Sequence, residues 1–139
     1  MSETQIRAKQ AVVVAYDGSP ASRRALRHAA DLARRHAVVA VVNVIQTQAV
    51  SSRLVAATQA QELRQDQLLR EARIYLEDRG VECRTVAAIG DASAEILAVV
   101  EELGAKWLVV GRDDRRHRLH RSTAMKLARA ASCGVVVVR

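Results

Sequence analysis

The ten residues AVVVAYDGSP, at positions 11–20, decide the fold class of this chain. Ala11–Tyr16 is a continuous apolar run rich in valine, which predicts a strand covered on both faces. Turn residues follow at once. Ser19 is suited to cap a helix, and Pro20 fits the first helical position. The stretch therefore predicts a strand, a turn and a helix in immediate succession, as in an α/β protein.

Four further apolar runs predict the remaining strands: Val38–Ile45, Val81–Ala88, Trp107–Val110 and Val135–Val138. Helical segments separate them. The first helix is predicted from Pro20 to about His36, with an apolar stripe at helical spacing formed by Ala25, Leu26, Ala29, Leu32 and Ala33. The alternation predicts an open, five-stranded parallel sheet with helices on both faces.

Three more helices complete this pattern. One covers much of Thr58–Arg79 and buries Leu68, Ala72, Tyr75 and Leu76. The next begins after Asp91 as N-cap, buries Ile96, Leu97, Val100 and Leu103, and ends at Gly104. The last begins at Ser122 or Thr123, runs to about Ala131, and presents Met125, Leu127, Ala128 and Ala131. Residues 46–57 are a connection, with or without a helix of its own.

The length of 139 residues suits one domain, which we place at residues 10–139 after a mobile tail at 1–9. Lys and Arg number 22 against 15 acidic residues, a formal charge of +7. This balance attracts nucleic acid, nucleotides or anionic membranes, and it arises equally from arginines spread over solvated helix faces. The charge alone does not choose between these readings.

The cellular compartment is predicted from the cysteines and the N-terminus. Cys83 and Cys133 have neither a CxxC partner nor metal-ligand spacing around them, which indicates free thiols in a reducing compartment. The first ten residues are polar, and no apolar run reaches the roughly 18 residues of a membrane span. We expect a soluble, cytoplasmic protein with no membrane contact.

The segment VVGRDDRRHRLHRST, from Val109 to Thr123, is the candidate ligand-binding loop. A glycine ends a strand, and a Ser-Thr pair opens a helix, which is where parallel α/β sheets bind phosphates. Five arginines between 112 and 121 replace the further glycines that a phosphate-cradling loop needs. This cluster is open to three interpretations: a phosphate clamp, a nucleic-acid contact patch, or a solvated loop with internal Arg–Asp pairing.

The sequence resembles the universal stress protein family over residues 10–139. The resemblance is carried by VVVAYDGS at 12–19 with Ser22, Ala25 and Leu26 behind it, by Asn43-Val44, by Gly90-Asp91, by LVVG at 108–111 and by CGVVVVR at 133–139. It implies a sheet with strand order 3-2-1-4-5, in which Asp17 and Gly111 reach the same crevice. It also implies that Asp17 faces a nucleotide and that Val44 lines an adenine slot, although Asp17 is equally suited to supporting its own turn.

ATP-binding members of that family carry a loop of the form Gly, two residues, Gly, nine residues, Gly, then Ser or Thr. Gly111 matches the first glycine, but Asp114 stands at the second position and Arg121, followed by Ser122, at the last. The loop is also three residues shorter. We therefore expect no ATP in the family's pose, and we name as candidate nucleotide or anion contacts Asp17, Val44, Gly111, Arg112, Arg121, Ser122 and Thr123.

The predicted function is that of a non-catalytic regulatory protein of the stress response. A nucleophile elbow, a P-loop and a GxGxxG fingerprint are all lacking, and no metal site or required cofactor is predicted. The apolar strand Val135, Val136, Val137 and Val138 is predicted to pair two copies into a homodimer, and other proteins are further candidate partners. The alternative is a switch that binds ATP or AMP, with Mg²⁺, in the crevice, and a third reading is nucleic-acid binding through the loop at 112–121.

Overall fold

The centre of the structure is a strand, Gln10–Ala15 (β1), that is hydrogen-bonded on both edges and buried on both faces. The computed structural model describes residues 9–47, 49–50, 53–54, 57–112 and 118–139. Nearly all of the predicted tail at 1–9, and residues 113–117 of the arginine loop, lie outside these ranges. The further elements are β2 (Ala37–Gln46), β3 (Ala49–Val50), β4 (Arg53–Leu54), β5 (Cys83–Gly90), β6 (Trp107–Gly111) and β7 (Gly134–Val138), with helices α1 (Pro20–Ala33), α2 (Gln59–Asp78), α3 (Ala92–Leu103) and α4 (Arg118–Ala130).

The main sheet has five parallel strands in the order β5-β2-β1-β6-β7. When these five strands are numbered along the chain, the order is 3-2-1-4-5, so the predicted topology is confirmed. The order reverses between β1 and β6. In open parallel sheets ligands bind at such a reversal, at the carboxyl ends of the strands.

Two hydrophobic clusters cover the two faces of the sheet. Helices α1 and α2 pack on one face over Val12, Val14 and Val41, while α3 and α4 pack on the other over Val13, Val42 and Leu108. Alternate residues of the same strands serve the two clusters because successive strand side chains point to opposite faces. A continuous run of valines is therefore what this layered fold requires.

Local capping interactions place the helix ends close to where the sequence predicts them. The Ser19 side chain accepts a hydrogen bond from the N–H of Ser22, and Asp91 does the same for Ala94. Thr58 and Gln61 form a reciprocal capping box at the start of α2. At the end of α3, Gly104 adopts the left-handed conformation that a helix C-terminus favours.

Two expectations about helix ends are wrong. Helix α4 begins at Arg118, not at Ser122 or Thr123, since arginine and leucine extend a helix readily and the Ser-Thr pair does not have to begin it. Helix α1 stops at Ala33, three residues before His36. In the connection 46–57, for which the sequence left a helix open, Ala49–Val50 and Arg53–Leu54 form a two-stranded antiparallel pair, β3 with β4.

Three apolar residues assigned to buried faces, Ala128 of α4 among them, are exposed instead. Leu32 of α1 is 41% exposed and Met125 of α4 is 47% exposed. Each lies beside the true buried stripe, whose α4 members include Ala124 and Leu127. Among the residues that the structure describes, no helix is long and apolar enough to cross a membrane.

The chain leaves α1 through a strained turn. Arg34 has φ 45° and ψ −121°, and the N–H of His36 donates to the carbonyl of Ala33 at 2.9 Å. These values are those of the first central position of a type II′ turn, which glycine normally occupies. Arg34 is the one described residue other than glycine with a positive φ. Holding an arginine there costs about 1–3 kcal/mol of backbone strain.

We expect Arg34→Gly to raise the free energy of unfolding by about 1 kcal/mol, because relief of the strain exceeds the extra entropy of glycine in the unfolded chain. Urea denaturation measures the change. Arg35→Gly is the matched control, since Arg35 does not have a positive φ. It should be neutral or destabilising, and an equal gain in both variants would contradict the strain argument.

Candidate functional site

A crevice lies at the carboxyl ends of β1, β2 and β6, at the predicted reversal of strand order. Four of the predicted site residues line it together: Asp17, Val44, Gly111 and Thr123. Its apolar wall is formed mainly by Ala15, Val42, Ile96, Val110, Ala124 and Leu127. The crevice therefore combines an apolar slot with a few polar groups at one end, which is the usual composition of a small-molecule site.

The other three predicted site residues lie on the chain that leads away from β6. Arg112 follows β6 directly and is half-buried, and its N–H donates to the carbonyl of Val138 at 2.7 Å. Arg121 and Ser122 lie inside α4, beyond its first residues. The first four N–H groups of a helix are the ones without partners inside it. The start at Arg118 therefore moves the anion-attracting end of the helix away from Ser122.

The Asp17 carboxylate supports the turn that follows β1. Its Oδ1 accepts a hydrogen bond from the N–H of Ser19 at 2.9 Å, the geometry of an Asx-turn. The N–H of Asp17 in turn donates to Oγ of Ser22 at 3.3 Å, and that hydroxyl donates to the carbonyl of Ser19 at 3.0 Å. This local network supports the structural reading of Asp17 and leaves its role toward a ligand as a prediction.

Two independent constraints favour glycine at position 18, in the same turn. Its φ of +80° falls in the left-handed region, and a Cβ placed there would lie 2.6 Å from Cδ2 of Leu68 on α2. A larger residue would therefore strain the backbone and also displace the Leu68 side chain.

Gly111 has a structural role that the loop pattern alone does not reveal. A Cβ at this position would lie 2.4 Å from the main-chain carbon of Ala21 and 2.7 Å from the main-chain nitrogen of Ser22. Neither main-chain atom can rotate out of the way. The end of β6 thus touches the first turn of α1 directly, so the glycine is needed for packing whether or not a phosphate binds nearby.

A buried amide network joins the carboxyl ends of β1, β2 and β5. Nδ2 of Asn43 donates to the carbonyl of Tyr16 at 2.8 Å. Nε2 of Gln65 lies 2.9 Å from the carbonyl oxygen of Asn43, 3.1 Å from its Oδ1 and 3.0 Å from the carbonyl oxygen of Ala88. Both amide side chains are more than nine-tenths buried. The network holds β2 in place between its neighbours at the edge where the crevice opens.

Gln65 is a site-building residue that sequence reasoning missed. The signal was present, because Gln65 stands at helical spacing with the buried residues Leu68, Leu69, Ala72 and Leu76 of α2. A polar side chain within an apolar stripe indicates a buried hydrogen-bond partner. The strand carbonyls that it binds become visible only once the sheet is formed.

Neither thiol of the chain is among the described residues that line the crevice. Burial raises the pKa of the Cys83 and Cys133 thiols, so both are protonated at neutral pH and poorly reactive. Burial also raises the pKa of Tyr16, whose hydroxyl lies 3.4 Å from a carboxylate oxygen of Glu71. Within the described ranges, no group of three or more His, Cys, Asp or Glu side chains is placed to hold a metal ion.

Comparison with known proteins identifies the family of this fold. The model of the universal stress protein family matches residues 9–139, nearly the whole chain. This chain belongs to the universal stress protein family. No curated protein sequence matches it.

Solved structures of universal stress proteins share the fold. One in complex with cAMP is 25% identical, with a TM-score of 0.75 over 95% of this chain and 98% of that one. A universal stress protein from Archaeoglobus fulgidus in complex with dAMP is 21% identical, with a TM-score of 0.78 over 95% and 99%. An Arabidopsis thaliana family member with AMP bound is 17% identical, with a TM-score of 0.69 over 93% and 90%.

The amide network generates a pH-dependent prediction for Gln65→Glu. The new carboxyl would face three oxygen acceptors, so its pKa in the folded state rises above the value of about 4.3 in the unfolded chain. A raised folded pKa means that the folded protein binds the proton more tightly. The variant is therefore less destabilised near pH 4.5 and loses further stability as pH rises, reaching a deficit of about 3 kcal/mol near pH 8.

Urea denaturation at pH 5 and pH 8 measures this difference. Gln67→Glu is the control, because Gln67 lies on the exposed face of the same helix. It should change the free energy of unfolding little at either pH. A Gln65→Glu variant as stable as the wild type at pH 8 would show that the amide network does not hold the strands together.

Proposed function

We propose that this universal stress protein is a cytoplasmic, non-catalytic regulatory protein of the stress response. It acts as a homodimer through contacts with other proteins, and it does not hold ATP in the pose of the family's ATP-binding members.

The observation that carries the proposal is the position of α4. The family's ATP pose uses a glycine followed by Ser or Thr at the end of the loop, but here the corresponding Arg121 and Ser122 lie within a helix that already began at Arg118. The first loop glycine, Gly111, is packed against the main chain of α1. With Asp114 at the second glycine position, the chain lacks the open glycine backbone that cradles a triphosphate.

The serines of the crevice support the absence of catalysis. Oγ of Ser19 accepts a hydrogen bond from the N–H of Ser22, and Oγ of Ser22 donates to the carbonyl of Ser19. An activated serine instead donates to a general base such as histidine. These hydroxyls cap a helix and do not attack a substrate.

A second candidate function is the binding of an adenosine monophosphate in the same crevice. The apolar slot beside Val44 and the carboxylate of Asp17 provide an apolar wall and a hydrogen-bond acceptor. The three relatives described above were solved with cAMP, dAMP and AMP, each of which carries a single phosphate. Such a ligand does not need a loop that cradles three phosphates.

Isothermal titration calorimetry with ATP and Mg²⁺, AMP and cAMP tests both candidates. We expect no binding of ATP at micromolar concentrations, because the glycine cradle is missing. Micromolar binding of ATP would overturn the main proposal, and micromolar binding of AMP or cAMP alone would establish the second candidate.

Asp17→Asn is the variant to use for any ligand that binds. The asparagine oxygen preserves the bond to the N–H of Ser19 while the negative charge is lost, so the turn remains intact. A loss of affinity in this variant assigns Asp17 to the ligand. Gly111→Val is unsuitable, since its side chain would collide with Ala21 and disturb the fold.

The homodimer is proposed from the edge strand β7. It is an outer strand of the sheet, and its sequence GVVVV includes Val137 with 40% of its surface exposed. An apolar edge strand invites pairing with another strand, and a two-fold contact between two copies covers both edges. Val135, Val136, Val137 and Val138 are the proposed contact residues.

We expect Val137→Asp to shift the protein from dimer to monomer, because each dimer would bury two carboxylates beside apolar surface. Light scattering at micromolar concentration measures the mass. Met125→Asp is the matched control, since Met125 is a similarly exposed apolar residue on α4. A wild type that is monomeric, or a dimer indifferent to Val137→Asp, would refute this contact.

A further inference from the structure

The net charge of this protein is divided unequally among its helices. Helix α1 with its turn, residues 20–36, contains five arginines and one aspartate, a net charge of +4, and α4 contains four basic residues and no acid. Helix α2 contains three arginines and five acids, a net charge of −2, while α3 has three glutamates and no basic residue. Basic and acidic side chains are therefore segregated by element.

Because of the topology, the basic and the acidic helices lie over different parts of the sheet. Helix α1 packs mainly against β1 and β6 and less against β2 and β7, and α4 packs against β6 and β7 on the opposite face. Helix α2 packs against β2 and β5, and α3 lies mainly over β2 and β5. The acidic helices therefore lie over the β5 side of the sheet, and the basic helices lie over its centre and its β7 side.

The exposed side of α1 is the described part of this basic region. We define the basic face as Arg23, Arg24, Arg27, Arg34 and Arg35, all of which are exposed. From Arg23 to Ala33, the last residue of α1, the helix extends about 15 Å along its axis, and Arg34 and Arg35 follow in the turn. Within the described part of the chain, Arg27, Arg34 and Arg35 form no ion pair shorter than 4 Å, and Asp31 is the sole acid of α1. Arg23 and Arg24 already have partners, since Arg23 donates to the carbonyl of Gly18 and lies 3.9 Å from Glu71, and Arg24 donates to the main-chain oxygen of Arg139. The guanidinium groups of Arg27, Arg34 and Arg35 are thus the ones available to an external anion.

The strained turn at the end of α1 extends the same face. Glycine is the favoured residue at position 34, yet this chain has Arg34 there. Arg34 is thus a third arginine near the end of α1, together with Arg27 and Arg35. Backbone strain that a simple substitution would relieve points to a functional use of the side chain. Here the side chain adds positive charge to the basic face.

The chemistry of the face favours one class of partner. The buried side of α1, including Ala25, Leu26 and Ala29, is occupied by the protein core, so the helix cannot insert it into a membrane. The chain has three aromatic residues, Tyr16, Tyr75 and Trp107, and none of them is exposed on α1 to stack with a base. Binding of single strands usually relies on such stacking. A row of arginines without aromatics fits a dense line of phosphates, as on a duplex.

We propose that the basic face of α1 binds the phosphate backbone of double-stranded nucleic acid without reading its sequence. About nine duplex charges lie within the roughly 15 Å that the helical part of the face spans, at one charge per 1.7 Å of duplex axis. Arginines that neutralise phosphates release condensed counterions, which makes such binding strongly dependent on salt. The site is distinct from the crevice and does not depend on what the crevice holds.

Fluorescence anisotropy with a labelled mixed-sequence DNA duplex of about 25 base pairs tests the proposal. We expect a Kd of roughly 1–100 μM at 0.15 M salt and an affinity that falls steeply as salt rises. A second duplex of unrelated sequence should bind equally. The full chain is used, and circular dichroism verifies that each variant is folded.

The decisive variant is the pair Arg27→Ala and Arg35→Ala. Its matched control is Arg64→Ala with Arg70→Ala, two exposed arginines of the acidic helix α2, so that both double variants have the same net charge of +5. The α1 pair should lower affinity at least about tenfold and reduce the salt slope by about two. The α2 pair should leave both quantities unchanged.

Arg34→Gly is a second variant that separates binding from folding. It should weaken duplex binding severalfold while raising the Tm by a few degrees, since it removes charge and strain together. A lower affinity therefore cannot be ascribed to unfolding.

The proposal would be overturned if the wild type did not bind the duplex at low salt, or if the α1 and α2 double variants lost affinity for it equally. Sequence-specific binding that resists salt would also overturn it, as would binding of anionic lipid vesicles without binding of the duplex. Inorganic polyphosphate serves as a competitor. It should displace the duplex if phosphates are the groups recognised, and failure to do so would likewise contradict a contact made through the backbone.

Discussion

The contact between the end of β6 and the first turn of α1 is the constraint on which the site depends. At Gly111 the two main chains approach so closely that a Cβ would lie 2.4 Å from the carbon of Ala21. This contact fixes α1 against β6, while the Asp17–Ser22 turn fixes the same helix to the end of β1. The crevice is the space that remains at the ends of these two strands. Its shape therefore follows from the packing of main chain against main chain.

The same packing changes the meaning of the glycine pattern. In a phosphate-binding loop, glycine keeps the backbone open to an anion. Here the space beside Gly111 is taken by α1, and α4 begins a full turn before Ser122. A family motif can thus lose its ligand-binding members while the one glycine that the fold needs remains. The relatives with nucleotides share the fold of this chain.

Charge is organised by the same topology. Because α4 lies over the β7 side, α1 over the centre, and α2 and α3 mainly over the β5 side, the basic helices are separated from the acidic ones in a chain whose overall charge is +7. This arrangement also bears on the proposed dimer. Pairing through β7 brings two basic sides together, so bound polyanions or salt would reduce the repulsion between the copies.

The order of the strands followed from the resemblance to a family and not from any local pattern. Sequence by itself determined the layers and most helix ends, because valine runs, the caps at Ser19 and Asp91, and the glycine at 104 act locally. It also named the four predicted residues that line the crevice, through resemblance to a family. Only the tertiary structure decided the start of α4, the exposure of Leu32 and Met125, the packing role of Gly111 and the amide network of Gln65 with Asn43. Each of these depends on atoms from distant parts of the chain that meet after folding. A local sequence pattern does not identify such distant partners. For the same reason, the number of arginines can be read from the sequence, but their place in the fold cannot.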